Sequence, residues 1–165
     1  MEIRINRHAW VALLDTTILI AFLALMVPGA ATGFEWHEWI GVAFIPLFIL
    51  HLVLSWSWVT GTWRRLWTET HPRARLNFLL NASLTVMMVV VIVSGLVVSD
   101  YVLPAMGISA AGTDRWRQLH NFTSSLILAV VGLHLGLNWS WIKGALRRYV
   151  VARFQRKAAA PVVDR

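Results

Sequence analysis

Four apolar stretches, near residues 9–32, 36–60, 77–99 and 117–142, leave a chain of 165 residues few ways to fold. Crossing a hydrocarbon core of ~30 Å takes roughly 20 helical residues, and each stretch is long enough. Inside lipid a backbone must satisfy its own hydrogen bonds, so apolar runs of this length become helices. Composition agrees: 58% of the residues are hydrophobic and 14% are charged, where a soluble domain carries about 25% charge. The expected fold is all-α, an integral membrane four-helix bundle. It forms one domain over residues 1–150, with a tail at 151–165.

The net charge of +7 could suggest a nucleic-acid partner, but its distribution points to topology instead. Arg4 and Arg7 precede the first stretch, and Arg64, Arg65, Arg73 and Arg75 lie between the second and third. Lys143, Arg147, Arg148, Arg153, Arg156, Lys157 and Arg165 follow the fourth. Thirteen of the 15 basic residues thus fall on one side, with Arg115 and Arg117 on the other. By the positive-inside rule both termini are cytoplasmic, and the chain is a multi-pass protein. The basic excess suits anionic lipid headgroups, and no nucleic acid is needed to explain it. Trp36, Trp39 and Trp116 fall at the outer interface, and Trp56, Trp58, Trp139 and Trp141 at the inner one, as aromatic anchors do.

The chain also repeats itself. Residues 50–65 read LHLVLSWSWVTGTWRR and residues 133–148 read LHLGLNWSWIKGALRR, an offset of 83. Residues 7–17, RHAWVALLDTT, align with 73–83, RARLNFLLNAS, at an offset of 66. A two-helix unit has therefore been duplicated, and the difference of offsets places 17 extra residues in the second outer loop. That loop, about 100–116, is long enough to fold over the outer end of the bundle. The basic start and Gly29-Ala30-Ala31 of the first stretch resemble a cleavable leader. Its repetition as the third stretch argues that it is retained as structure.

Within the repeat, His37 precedes His51 by fourteen residues, and His120 precedes His134 by the same interval. Fourteen helical residues turn through about 1400° and rise ~21 Å, so both members of a pair face one way at different depths. The second and fourth helices run in the same direction. His37 and His120 therefore share an outer level, and His51 and His134 an inner one. A histidine in a membrane span is costly and needs a partner. One alone is as readily an interhelical hydrogen bond as a metal ligand, but two matched pairs point to ligation. Two opposed imidazoles suit the axial positions of a haem iron, here bound without covalent attachment because the chain has no cysteine. His8 and His71 fall outside the pattern, in basic segments.

Paired histidines fourteen apart on two helices of a four-helix bundle resemble the di-haem cytochrome b superfamily. Its members include the membrane subunits of formate dehydrogenases and nickel–iron hydrogenases. His37-Glu38-Trp39-Ile40-Gly41 and His134-Leu135-Gly136-Leu137-Asn138-Trp139-Ser140-Trp141 are similar to a short bacterial membrane family labelled a domain of unknown function (number 4405). The resemblance implies two b haems with bis-histidine ligation in a bacterial inner membrane. It also implies a redox partner subunit and, as a candidate partner, quinone. The chain has only the four-helix core, without the further helices that build a quinone pocket in larger members.

Other residues could support such a site. Gly29 and Gly33 on the first helix, Gly41, Gly95, Gly132 and Gly136 allow close approach of a flat macrocycle, or equally of a neighbouring helix. Arg117, three residues before His120, could meet a haem propionate or anchor at the interface. Pro46, between the two levels, would bend the second helix. Asp15, with Asn81 as its repeat equivalent, is expected to hydrogen-bond to Thr16, Thr17 or Asn81 rather than carry protons.

There is no glycine-rich nucleotide fingerprint, P-loop or nucleophile elbow. The expected function is electron relay across the bilayer as a subunit of an oxidoreductase complex. The alternatives are a stand-alone quinone or metal reductase, and a pigment-binding or structural membrane subunit. An absorption spectrum of the purified protein separates these. The haem reading expects b-type bands that sharpen on dithionite reduction; a colourless protein or chlorin bands would exclude it.

Overall fold

The computed structural model describes residues 7–27, 31, 33–66, 72–109 and 112–148. The tail 151–165, His71, Gly29 and the side chain of His8 lie outside them. The described residues form helices α1 (Arg7–Met26), α2 (Phe34–Leu66), α3 (Pro72–Val97), α4 (Val102–Ala105), α5 (Asp114–Leu137) and α6 (Trp139–Leu146). Four of these, α1, α2, α3 and α5, are long and apolar enough to cross a membrane. The protein is an integral membrane four-helix bundle.

Helix ends depart from the hydropathy reading where local chemistry intervenes. Helix α2 continues past Gly61 to Leu66, and α3 begins at Pro72. The inner connection expected over 61–76 is therefore much shorter. Proline suits a first helical turn, where its missing N–H is no loss. Helix α1 stops at Met26, so Gly33 is not on it but in the turn before α2, at φ +90°, a left-handed conformation that glycine adopts freely. Pro46 lies inside α2 without ending it.

The two copies of the repeat differ at one further point. Helix α2 runs unbroken through Trp-Ser-Trp, whereas the second copy breaks at Asn138, which stands where the first has Ser55. The Asn138 side chain donates to the His134 carbonyl at 2.8 Å, and its own carbonyl accepts from the backbone of Trp141 and Ile142. Asparagine competes for nearby backbone groups in this way and favours helix ends.

Packing follows the duplication. The closest helix pairs are α1 with α2 and α3 with α5, the two hairpins, which join through α2 and α3. Helices α2 and α5, which carry the paired histidines, are not among the closely packed pairs. The central core consists of Phe22, Phe44, Phe48, Met88 and Ile127. Its members are images of one another: Phe22 and Met88 differ by the 66-residue offset, Phe44 and Ile127 by the 83-residue offset. Ile18 and Leu84, Ala21 and Met87, and Met26 and Ile92 pack around them as further equivalent pairs. Phe44 and Ile127, both almost fully buried, each fall seven residues from both histidines of their helix, so this apolar layer lies midway between the two histidine levels.

Outward faces are apolar. No more than 11% of any span is buried inside the protein, and Leu13, Ile20, Val53, Leu79 and Val86 are exposed, as surfaces solvated by lipid tails are. Exposed Thr16 and Thr17 donate to the carbonyls of Ala12 and Leu13 one turn back, satisfying their hydroxyls within the helix. The interfacial tryptophans at 36, 39, 56, 58, 116, 139 and 141 are all exposed. The core position Phe44→Ala should destabilise the bundle by ~3–5 kcal/mol. Lipid-facing Leu13→Ala should cost much less, and thermal denaturation in detergent compares the two.

Candidate functional site

At the outer level, α2 supplies His37 and α5 supplies His120. Their ring centroids lie 6.1 Å apart with the planes at 83°. The His120 ring is held from α3: its Nδ1 donates to the Val91 carbonyl at 3.0 Å, and the Ser94 hydroxyl stands 3.3 Å away. A carbonyl can only accept, so the proton sits on Nδ1, and Nε2 is left with its lone pair. Ser94 is fully buried and donates to the Val90 carbonyl at 2.6 Å. Gly95 makes room for the ring, since a Cβ there would come within 3.0 Å of His120 Cε1. The Nδ1 atom of His37 is buried and has no hydrogen-bond partner among the described residues.

A cavity of about 600 Å³ opens beside these two rings. Gly41, Gly95, Phe44 and Ile127 contribute to its wall, and Glu38 and Arg117 also line it. Such a volume falls within the ~300–1,000 Å³ of cofactor and small-molecule pockets.

At the inner level the histidines are held by side chains of the neighbouring helix. His51 Nδ1 donates to Asp15 Oδ1 on α1, and His134 Nδ1 donates to Asn81 Oδ1 on α3, each at 2.7 Å. Asp15 and Asn81 are repeat equivalents, so one hydrogen bond has been duplicated with its helix pair and then altered in its acceptor. His134 also lies within electrostatic reach of both His51 and Asp15. The acceptors orient both rings through Nδ1 and leave both Nε2 atoms to another partner. Asp15 therefore bonds to His51, in place of the expected Thr16, Thr17 or Asn81.

The outer loop is organised by Glu38, a residue that the sequence reading did not single out as part of the site. Its carboxylate accepts from the Ser99 hydroxyl at 2.5 Å and from the backbone N–H groups of Asp100, Tyr101 and Val102 at 2.9–3.0 Å. These bonds tie the end of α3 and the start of α4 to α2, beside His37. The buried Val102 side chain plugs the outer end. The signal was present as an acid inside an apolar helix next to a paired histidine, where the second copy has Asn121.

The remaining candidates divide. Arg117 pairs with Asp100 through Nη2 at 2.9 and 3.1 Å, an exposed ion pair worth little by itself, while still lining the cavity. Gly41 has only Leu25 near it, at ordinary contact distance. Gly132 and Gly136 face open space, so neither makes room for a packed helix in this arrangement.

A family model described as prokaryotic cytochrome b561 matches residues 5–142, which hold all four spans and all four paired histidines. No curated protein and no solved structure matches the chain significantly.

Glu38 gives the site a local test. Hydrogen bonds to a charged acceptor contribute about 1.5–3 kcal/mol each, toward the lower end where partly exposed. Glu38→Ala should therefore speed amide hydrogen exchange at Asp100, Tyr101 and Val102 by at least about tenfold, with the midspan amides of α3 unchanged.

Proposed function

The chain belongs to the prokaryotic cytochrome b561 family, membrane electron-transfer proteins that bind b-type haem, and from this premise we propose that it holds two haems, one per histidine level. His37 and His120 would be the axial ligands of the outer haem, and His51 and His134 those of the inner. The observation that carries this reading is the disposition of the imidazoles. Three of the four have Nδ1 committed to an acceptor on a neighbouring helix, which presents Nε2 as the ligand atom. Among the described residues no group of three or more His, Cys, Asp or Glu gathers as it would around a bare ion. Two imidazoles per level suit a metal whose remaining positions are filled by its own macrocycle.

The outer level fits the group by other marks as well. The 6.1 Å between ring centroids brings the two imidazoles close enough that both would hold one group. The buried, unpartnered His37 Nδ1 and the open cavity belong to the same place. When bound, each haem supplies a one-electron iron couple. The protein contributes ligands, orientation and exclusion of water. Phe44, Phe48, Met88 and Ile127 fill the interval between the levels with apolar side chains, a layer that bars water and ions from the path.

Electrons would pass between a redox partner on one face and an acceptor on the other, in a bacterial inner membrane. The likeness to the membrane subunits of formate dehydrogenases and nickel–iron hydrogenases supports a partner subunit, and the quinone pool is the candidate second partner. Arg117, at the cavity, would meet an outer propionate, in which case its hold on Asp100 is shared.

Histidine substitution tests the pairing. His51→Ala and His134→Ala should each remove the same half of the reduced haem absorbance, and His37→Ala and His120→Ala the other half. Loss of different halves from His51→Ala and His134→Ala would refute the level-matched sites.

A further inference from the structure

The two histidines of the inner level are held alike in geometry and differently in charge. Both Nδ1 contacts are 2.7 Å long and come from equivalent positions of the repeat, but the acceptor is a carboxylate for His51 and a neutral amide for His134. Among the described residues Asp15 is the one acid placed deep in a span; Glu35, Glu38 and Asp114 lie within the first turns of their helices. Asp15 is partly buried, with its side chain 28% accessible, so its charge is poorly screened.

We propose that Asp15 is a positioning residue that makes His51 the stronger donor of the inner pair and lowers the reduction potential of the haem held there. A carboxylate accepting from Nδ1–H draws that proton toward itself and raises electron density on the ring, which strengthens donation from Nε2. It also places a negative charge one ring away from an iron that is more positive when oxidised, favouring the oxidised state. An amide at the same distance orients the ring but adds no charge. Among the described residues the outer pair has the Val91 carbonyl and the Ser94 hydroxyl on one ring, and no carboxylate hydrogen-bonded to either. The bias delivered through a ring Nδ1 is therefore confined to the inner level. It follows that the repeat, symmetric in its ligands, is asymmetric in what stands behind them.

This inference rests on the two-haem reading, and potentiometric titration of the purified, haem-loaded protein tests it. The inner couple is identified as the one that disappears in His51→Ala. In Asp15→Asn, with both haems still bound, that couple should shift upward. The expected change is about tenfold in the oxidised-to-reduced ratio at fixed potential, ~59 mV for a one-electron couple. Asn81→Asp should shift the same couple downward. The exchange Asp15→Asn with Asn81→Asp should return it close to the starting value, because one carboxylate is again present. The outer couple should stay in place throughout. An inner couple unmoved by Asp15→Asn, or moved the same way by Asp15→Asn and Asn81→Asp, overturns the inference. Should Asp15→Asn shed the inner haem, Asn81→Asp decides: a downward shift supports the inference and no shift overturns it. Failure of the underlying reading looks different, as His51→Ala and His134→Ala would then leave the haem content unchanged.

Discussion

Everything at this site depends on how a histidine is held inside a bilayer. A lone imidazole in hydrocarbon is free to turn and has two nitrogens to satisfy. Here the neighbouring helix takes one nitrogen: α1 through Asp15, α3 through Asn81 and the Val91 carbonyl. Each bond fixes a ring, selects its tautomer and leaves the opposite nitrogen for another partner. Within each hairpin one helix carries the histidine and the other carries the group that orients it. The hairpin is thus the smallest unit that can hold one wall of a site, and two such units are needed to close it.

Duplication explains why the rest is arranged around those bonds. Copying a hairpin copies its histidines, the groups that orient them and its apolar filler together. The core bears this out, since Phe22 with Met88 and Phe44 with Ile127 are the same positions of the two copies. They meet halfway between the histidine levels and separate them with a layer of buried apolar side chains. Divergence then acted at a few positions. Asp15 and Asn81 differ in charge, Ser55 and Asn138 in whether the helix continues, and Glu38 and Asn121 in whether the outer loop is tied down.

Much of this was legible in the residues. Long apolar runs announce spanning helices because lipid offers the backbone no alternative. A fourteen-residue interval places two side chains on one face because it is close to a whole number of turns. What the sequence could not show was which atoms fill the second nitrogen, because that depends on the rotation of α1 and α3 against their partners. The residues point Asp15 toward Thr16, Thr17 or Asn81, but the two hydroxyls turn back onto their own helix and Asn81 accepts from His134. In the sequence Glu38 is masked by its place, since an acid near a helix start, here beside Glu35, reads as surface. Its role appears only once the second outer loop, absent from the first copy, folds back onto it.

The most direct measurement is haem stoichiometry on the purified, full-length protein, by pyridine haemochrome absorbance against protein mass. The proposed reading, one haem per level-matched histidine pair, predicts two b haems per chain. One haem per chain, or none, would contradict the account.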